Sequence, residues 1–371
     1  MHVGMAAIFQ NPGQASTDRE VYREELRLIE MAEPLGYDSV WSVEHHFTDY
    51  TMCPNPAQFL SYMAGRTKRV QLGSMVLVLP WHDPLRVAEE LAALDNMSGG
   101  RVILGIGRGA GLVEFDGFRI PMGESRERFV EAAEMILPGL ESGTCEYNGT
   151  YYKQPKVALR PKPFKTFKGR TYAAAVSPES ARIMAKLGIG MLIIPQKPWK
   201  EVAKEMAEYR TLFQQMNGFA APQPINSGWV FCDEDESRAE AMATRYIGGS
   251  YKTVLAHYKF HEDHLKTTKD YEYYGKFAEK IQEKGEEEFI NFFRDLQVWG
   301  TPETCLEKIR EIQRKVDACG FVGIFSYAGM PWADAERNLR LFTSKVMPHL
   351  KVLDVGAEPD MSASYARKAA E

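Results

Sequence analysis

The chain has 371 residues, 44% hydrophobic and 26% charged, with a net charge of −5 and an isoelectric point near 6.0. This balance suits a large globular core and excludes a general nucleic-acid binder, whose footprint is a basic excess, though not a local basic pocket for one phosphate. No run nears the ~18 apolar residues of a membrane helix, no basic leader precedes a long apolar stretch, and the five cysteines (Cys53, Cys145, Cys232, Cys305, Cys319) show no CxxC spacing, so a cytoplasmic protein without disulfide framework or structural zinc is expected.

Along the chain, short apolar runs alternate with amphipathic segments, the pattern of a parallel sheet wrapped in helices. Strands are predicted at Val3–Phe9, Ser39–Val43, Val70–Val78, Val102–Gly107, Tyr172–Val176, Met191–Pro195, Ile225–Cys232 and Val322–Tyr327. Between the first two, Arg19–Leu35 places Tyr22, Leu26, Ile29 and Ala32 on a helical stripe, and Leu85–Met97 follows the third strand in the same way. Strands rich in Val, Ile and Leu without strict alternation suit a sheet buried on both faces. Gly109–Arg170 and Arg245–Trp299 are too long for plain loops. The first predicts a helix near Ser125–Leu140 and a small hairpin. The second is helical in composition and rich in aromatics, a candidate lid. Residues 351–371 form a polar, weakly periodic tail.

Three segments carry chemistry. SVWSVEHHF (39–47) ends a strand in Glu44-His45-His46-Phe47; neighbouring strand residues point to opposite faces, so one histidine faces inward. Such a ring is either a general base or hydrogen-bond donor beside a cofactor, or a histidine bonded to a loop carbonyl. His45, His46, His82 and Asp83 could be gathered as metal ligands, but the inward HxH spacing of barrel metallohydrolases is absent, and no metal is expected. His257, His261 and His264 fall at i, i+4 and i+7, one face of a helix if the segment is helical, where a solvated or pocket-lining role is expected. GRVILGIGRGAG (100–111) is not a dinucleotide fingerprint, because it follows the fourth strand and its helix begins late. It reads instead as a glycine-lined strand end approached by a flat ring, with Arg108 set to meet an anion. In TYAAAVSPESARIMAKLG (171–188), Ser177-Pro178-Glu179-Ser180 opens a helix whose N–H groups either receive a phosphate or are simply capped.

Taken in order, GYDSVWSVEHHF (36–47), Asn55-Pro56, residues 70–109, SPESARIMAKLG (177–188) and WGTPETCLEKI (299–309) resemble the bacterial luciferase-like flavin-dependent monooxygenases, and within them the luciferase alpha subunits. The resemblance spans nearly all of residues 1–350. It implies an α/β fold, a single (β/α)8 TIM barrel with insertions at the C-terminal face of the strands. It also implies reduced FMN (FMNH2) as cofactor and dioxygen as co-substrate, with a flavin C4a-hydroperoxide oxidising a small apolar organic substrate. By the same resemblance His45 is the catalytic histidine and His46 its neighbour; Arg108, Ser177 and Ser180 hold the FMN phosphate; Glu44, Ala174, Ala175 and Val176 line the flavin. Met75-Val76 aligns with a non-prolyl cis peptide under the flavin ring, and Gly107 stands where the alpha subunit has a cysteine facing the reactive flavin carbon. The flavin-side glutamate of the family is Val176 here, and its phosphate-contacting threonine is Ser180, so light emission is not implied.

The partners so implied are a separate flavin reductase and a second copy of the chain, as a homodimer or dimer of dimers; no nucleic acid or membrane partner is expected. Competing readings are F420-dependent hydride transfer on the same fold, a non-catalytic flavin-binding protein, and a metal-dependent hydrolase.

Overall fold

The computed structural model describes residues 1–174 and 178–356. The first strands are β1 (His2–Ala7), β2 (Ser39–Ser42), β3 (Gln71–Ser74), β4 (Leu77–Val78) and β5 (Val102–Gly107). After a hairpin of β6 (Thr144–Asn148) and β7 (Lys153–Ala158) come β8 (Thr171–Ala174), β9 (Gly190–Ile193), β10 (Ile225–Cys232), β11 (Val298–Gly300) and β12 (Gly320–Ile324). Parallel pairing runs β1, β2, β3, β5, β8, β9, β10, β12 and back to β1, with β4 continuing the β3 stave along β5. The sheet therefore closes as a (β/α)8 barrel, and each expected strand supplies a stave. Closure leaves no sheet edge, and the buried staves carry the continuous apolar runs that both-face burial requires.

Three details differ from expectation. The predicted strand Val70–Val78 is two pieces, with the cis Met75-Val76 peptide between them. The short strand β11 pairs in parallel with the C-terminal end of β10, in register from Val230↔Val298 to Cys232↔Gly300. The first helix divides into Asp18–Ile29, started by a Thr17/Glu20 capping box, and Ala32–Leu35. Its buried face is Val21, Glu25, Leu28 and Ile29, whereas Tyr22 is exposed and Leu26 only half-buried. The expected stripe holds at Ile29 and Ala32 and fails at Tyr22 and Leu26, whose places in the core are taken by Val21 and Glu25, a carboxyl that hydrophobic counting cannot register.

The helices Pro84–Ser98 and Ser125–Ser142 form where expected, the first N-capped by Asp83. The second insertion folds into helices Gly248–His257, His264–Thr267, Glu272–Lys284 and Glu286–Leu296. All five cysteines are free and buried. Among the described residues, no helix is long and apolar enough to cross a membrane.

Candidate active site

Barrel topology gathers the C-terminal ends of successive staves at one mouth, where side chains are released from the sheet. Here that mouth holds a cleft of about 140 Å³. Glu44, His45, Met75, Val76, Gly107, Arg108, Ala174 and Ser180, named from sequence, all line it. Ala175, Val176 and Ser177 lie outside the described residues. Gly107 matters by its lack of a side chain, since a Cβ there would stand 2.3 Å from Val76 Cγ2. Only glycine lets β5 press against the Met75-Val76 segment and leave a flat wall.

The two adjacent histidines have separate surroundings. His45 lines the cleft, and its Nδ1 lies 2.9 Å from Oε1 of Glu114, which is fully buried. The same oxygen accepts the His46 backbone N–H at 3.0 Å. Burial alone would push the Glu114 carboxyl up; the charge of His45, the close approach of His257 and the hydrogen bond to His45 outweigh it and hold the group at about 2. An ionised Glu114 fixes the proton of His45 on Nδ1, leaving Nε2 with a lone pair.

His46 turns away. Its Nε2 is 3.0 Å from Glu44 Oε1, and its ring packs edge-on against Trp81 and Phe118. His82 Nε2 reaches the same Glu44 oxygen at 2.6 Å, while the Val78 N–H donates to Oε2 at 2.7 Å. Burial opposes ionisation of Glu44, but its bonds to His46 and His82 win and keep its carboxyl below the usual range. His45, His46, His82 and Asp83 therefore do not converge, because Glu44 takes His46 and His82 and Asp83 caps a helix.

The expected histidine stripe is broken. The helix ends at His257, Lys259 takes a positive φ of 51°, and the chain turns. His261 pairs with Glu286 at an exposed position, and His264 starts a new helix. His257 goes inward to the cleft carboxylate, 3.4 Å from Glu114 Oε1, with its Nδ1 2.9 Å from Thr48 Oγ1.

A cationic corner completes the cleft. Arg108 lies 4.1 Å over the Tyr271 ring and donates to the Asp270 carbonyl at 2.9 Å. Arg126, unnoticed in the sequence, also lines the cleft and faces the Asp270 carboxylate at 3.5 Å. Ser180 stands in the first turn of the helix Pro178–Leu187. Two guanidinium groups beside a helix N-terminus make a donor set for a dianionic phosphate. The aromatic walls are Trp81, Phe129, Tyr258 and Tyr274.

Sequence reasoning also missed Glu114, and it names His257 only as one of three histidines expected on a solvated or pocket-lining helix face. Glu114 left a trace, a lone carboxylate among apolar neighbours in GLVEF just past the glycine-rich strand end. What separates His257 from His261 and His264 left no trace, since its inward turn depends on where a helix stops.

A family model for luciferase-like monooxygenases matches residues 1–318. The alkanal monooxygenase alpha chain of Photobacterium leiognathi is 27% identical over 350 residues, covering 92% of this chain and 97% of that protein. The oxygenase component of a flavin-dependent trigonelline monooxygenase from Acinetobacter baylyi is 27% identical over 245 residues, 64% of this chain and 68% of that one. Among solved structures, monooxygenase RslO1 from Streptomyces bottropensis superposes with a TM-score of 0.79 at 26% identity, covering 94% of this chain and all of that chain. Family model, full-length relatives and barrel agree: the chain belongs to the luciferase-like monooxygenase family.

Proposed function

We propose that this chain is the oxygenase of a two-component monooxygenase, an oxidoreductase of the cytoplasm that receives reduced FMN from a separate reductase and uses dioxygen to oxidise a small apolar organic substrate. The observation that carries this reading is the cleft itself, which joins a carboxylate-held histidine to a two-arginine anion corner across a flat, glycine-relieved wall. The resemblance of the trigonelline enzyme, itself an oxygenase component, supports the separate reductase.

Arg108, Arg126, Ser180 and, from the resemblance, Ser177 would hold the phosphate; Met75, Val76, Gly107, Ala174 and Glu44 would line the ring, with Ala175 and Val176 beside them. Reduced FMN, when bound, supplies the electrons that activate dioxygen. His45 takes up or returns a proton at Nε2, oriented by Glu114 at Nδ1. Tyr258, Tyr271 and Tyr274, brought by the second insertion, keep water from the cleft. At about 140 Å³ the cleft is narrower than the ~300 Å³ lower bound for pockets holding drug-sized ligands. The Asp270–Tyr271 turn, which engages both arginines, is therefore the part that moves when the phosphate enters, and the insertion acts as a lid.

The test is anaerobic titration with reduced FMN and with reduced F420, followed by rapid mixing with oxygen. Tight binding of reduced FMN and a transient absorbance distinct from oxidised FMN are expected. Preference for F420, or simple reoxidation without a transient, moves the chain to hydride transfer or flavin carriage. Arg108→Ala is expected to weaken FMN binding roughly ten- to hundred-fold, the size of a lost charge-assisted contact. Equilibrium titration checks this, and unchanged affinity removes Arg108 from the phosphate site.

A further inference from the structure

Behind His45 lies an arrangement that the monooxygenase reading does not use in full. His45 from the loop after β2, Glu114 from the helix Leu112–Phe118 and His257 from the end of Gly248–His257 each place one donor atom within 4.8 Å of the others. Glu114 is 0% and His257 5% exposed, yet Glu114 Oε2 and His257 Nε2 make no hydrogen bond. Both face Gly111, where an added Cβ would meet Oε2 at 2.3 Å and Nε2 at 3.0 Å. Unsatisfied buried acceptors are costly, and two facing lone pairs repel unless a proton or a cation lies between them. Thr48 at Nδ1 can fix the His257 proton there and turn the Nε2 lone pair inward, as partners of metal-bound histidines do. Tyr50 stacks on His257 with ring centres 4.6 Å apart and meets His45 edge-on, walling the group from solvent.

We propose that His45, Glu114 and His257 form a site for one borderline divalent cation of the zinc class. Two imidazoles and one carboxylate are a donor set that zinc and cobalt favour, with a position left for water. Occupation has a consequence that rests on the monooxygenase reading: a cation on His45 Nδ1 moves the ring proton to Nε2 and removes the lone pair assigned to proton transfer. The metal thus switches oxygenation off.

The test uses the full flavin-free chain after treatment with a chelator. Titration with Co2+ is expected to give one bound ion per chain, with the visible absorption of a low-coordinate nitrogen/oxygen site. His257→Ala should lower that affinity at least tenfold. Thr48→Val, which keeps all three donors, should lower it roughly ten- to hundred-fold, as loss of an outer hydrogen bond to a ligand does. Absence of stoichiometric binding, or equal binding by His257→Ala, overturns the site. This result is independent of any flavin chemistry, so it fails separately from the monooxygenase reading. In turnover assays Zn2+ should inhibit the wild type and spare Thr48→Val at the same concentration. Stoichiometric binding without inhibition overturns the assignment of His45 as a ligand.

Discussion

Glu114→Gln is expected to lower oxygenated product formation roughly a hundred- to ten-thousand-fold while leaving the binding of reduced FMN nearly unchanged, the size of the contribution that general acid–base catalysis makes, because the amide cannot balance the charge of a protonated His45. The wild-type carboxylate accepts from both His45 Nδ1 and the His46 N–H at one oxygen, and it is ionised throughout the working pH range. Glutamine has the same shape but no charge. Its oxygen can keep both the His46 N–H and His45 Nδ1, which meet the same carboxylate oxygen in the wild type. A neutral amide no longer balances the positive charge that His45 gains when Nε2 takes up a proton, although the fold and the phosphate corner are intact. Single-turnover product analysis, with flavin affinity measured in parallel, checks the split. His45→Ala should lose about as much, and the double variant little more than the worse single change, because both act through one nitrogen. Wild-type turnover in Glu114→Gln would sink the charge-balancing role of Glu114, and full turnover in His45→Ala would sink the base itself.

The parts of the site that could be read from sequence are those fixed by backbone position. Strand ends such as Glu44-His45 and Gly107-Arg108 project into a barrel mouth by topology, so locating the strands located the residues. The eight staves were legible because burial on both faces leaves unbroken apolar runs. What sequence could not supply was pairing between distant segments. Glu44 and Glu114 are equivalent as letters, yet one serves His46 and His82 and the other His45 and His257. Arg126 joins Arg108 only because its helix packs back across the mouth, and His257 turns inward only because its helix stops there. Local propensity says little about either event. Glu25 is the same lesson in the core, a charged letter on a buried stripe.

That residue supports a second large expected effect, on stability. Glu25→Gln should make the protein more stable than the wild type by about 3 kcal/mol above about pH 8, with the advantage fading below about pH 5. Glu25 is 3% exposed, and burial raises its carboxyl from the ordinary 4.5 to about 7, against the opposing hydrogen bonds of Ser326 and the Ile8 backbone. Below pH 4.5 the group is protonated in both folded and unfolded chains and costs nothing. As pH climbs toward 7 the unfolded chain ionises it while the folded chain holds its proton, so stability falls across that window. Above 7 the folded chain carries a buried charge and the loss is complete; the gap between about 7 and 4.5 sets the 3 kcal/mol. Glutamine never ionises, and its amide oxygen can keep the two accepted hydrogen bonds. Denaturant unfolding of both proteins from pH 5 to pH 8.5 measures the difference directly. Curves that stay parallel across the range would mean that Glu25 ionises at its ordinary value, and that water or a counter-charge reaches it inside the core.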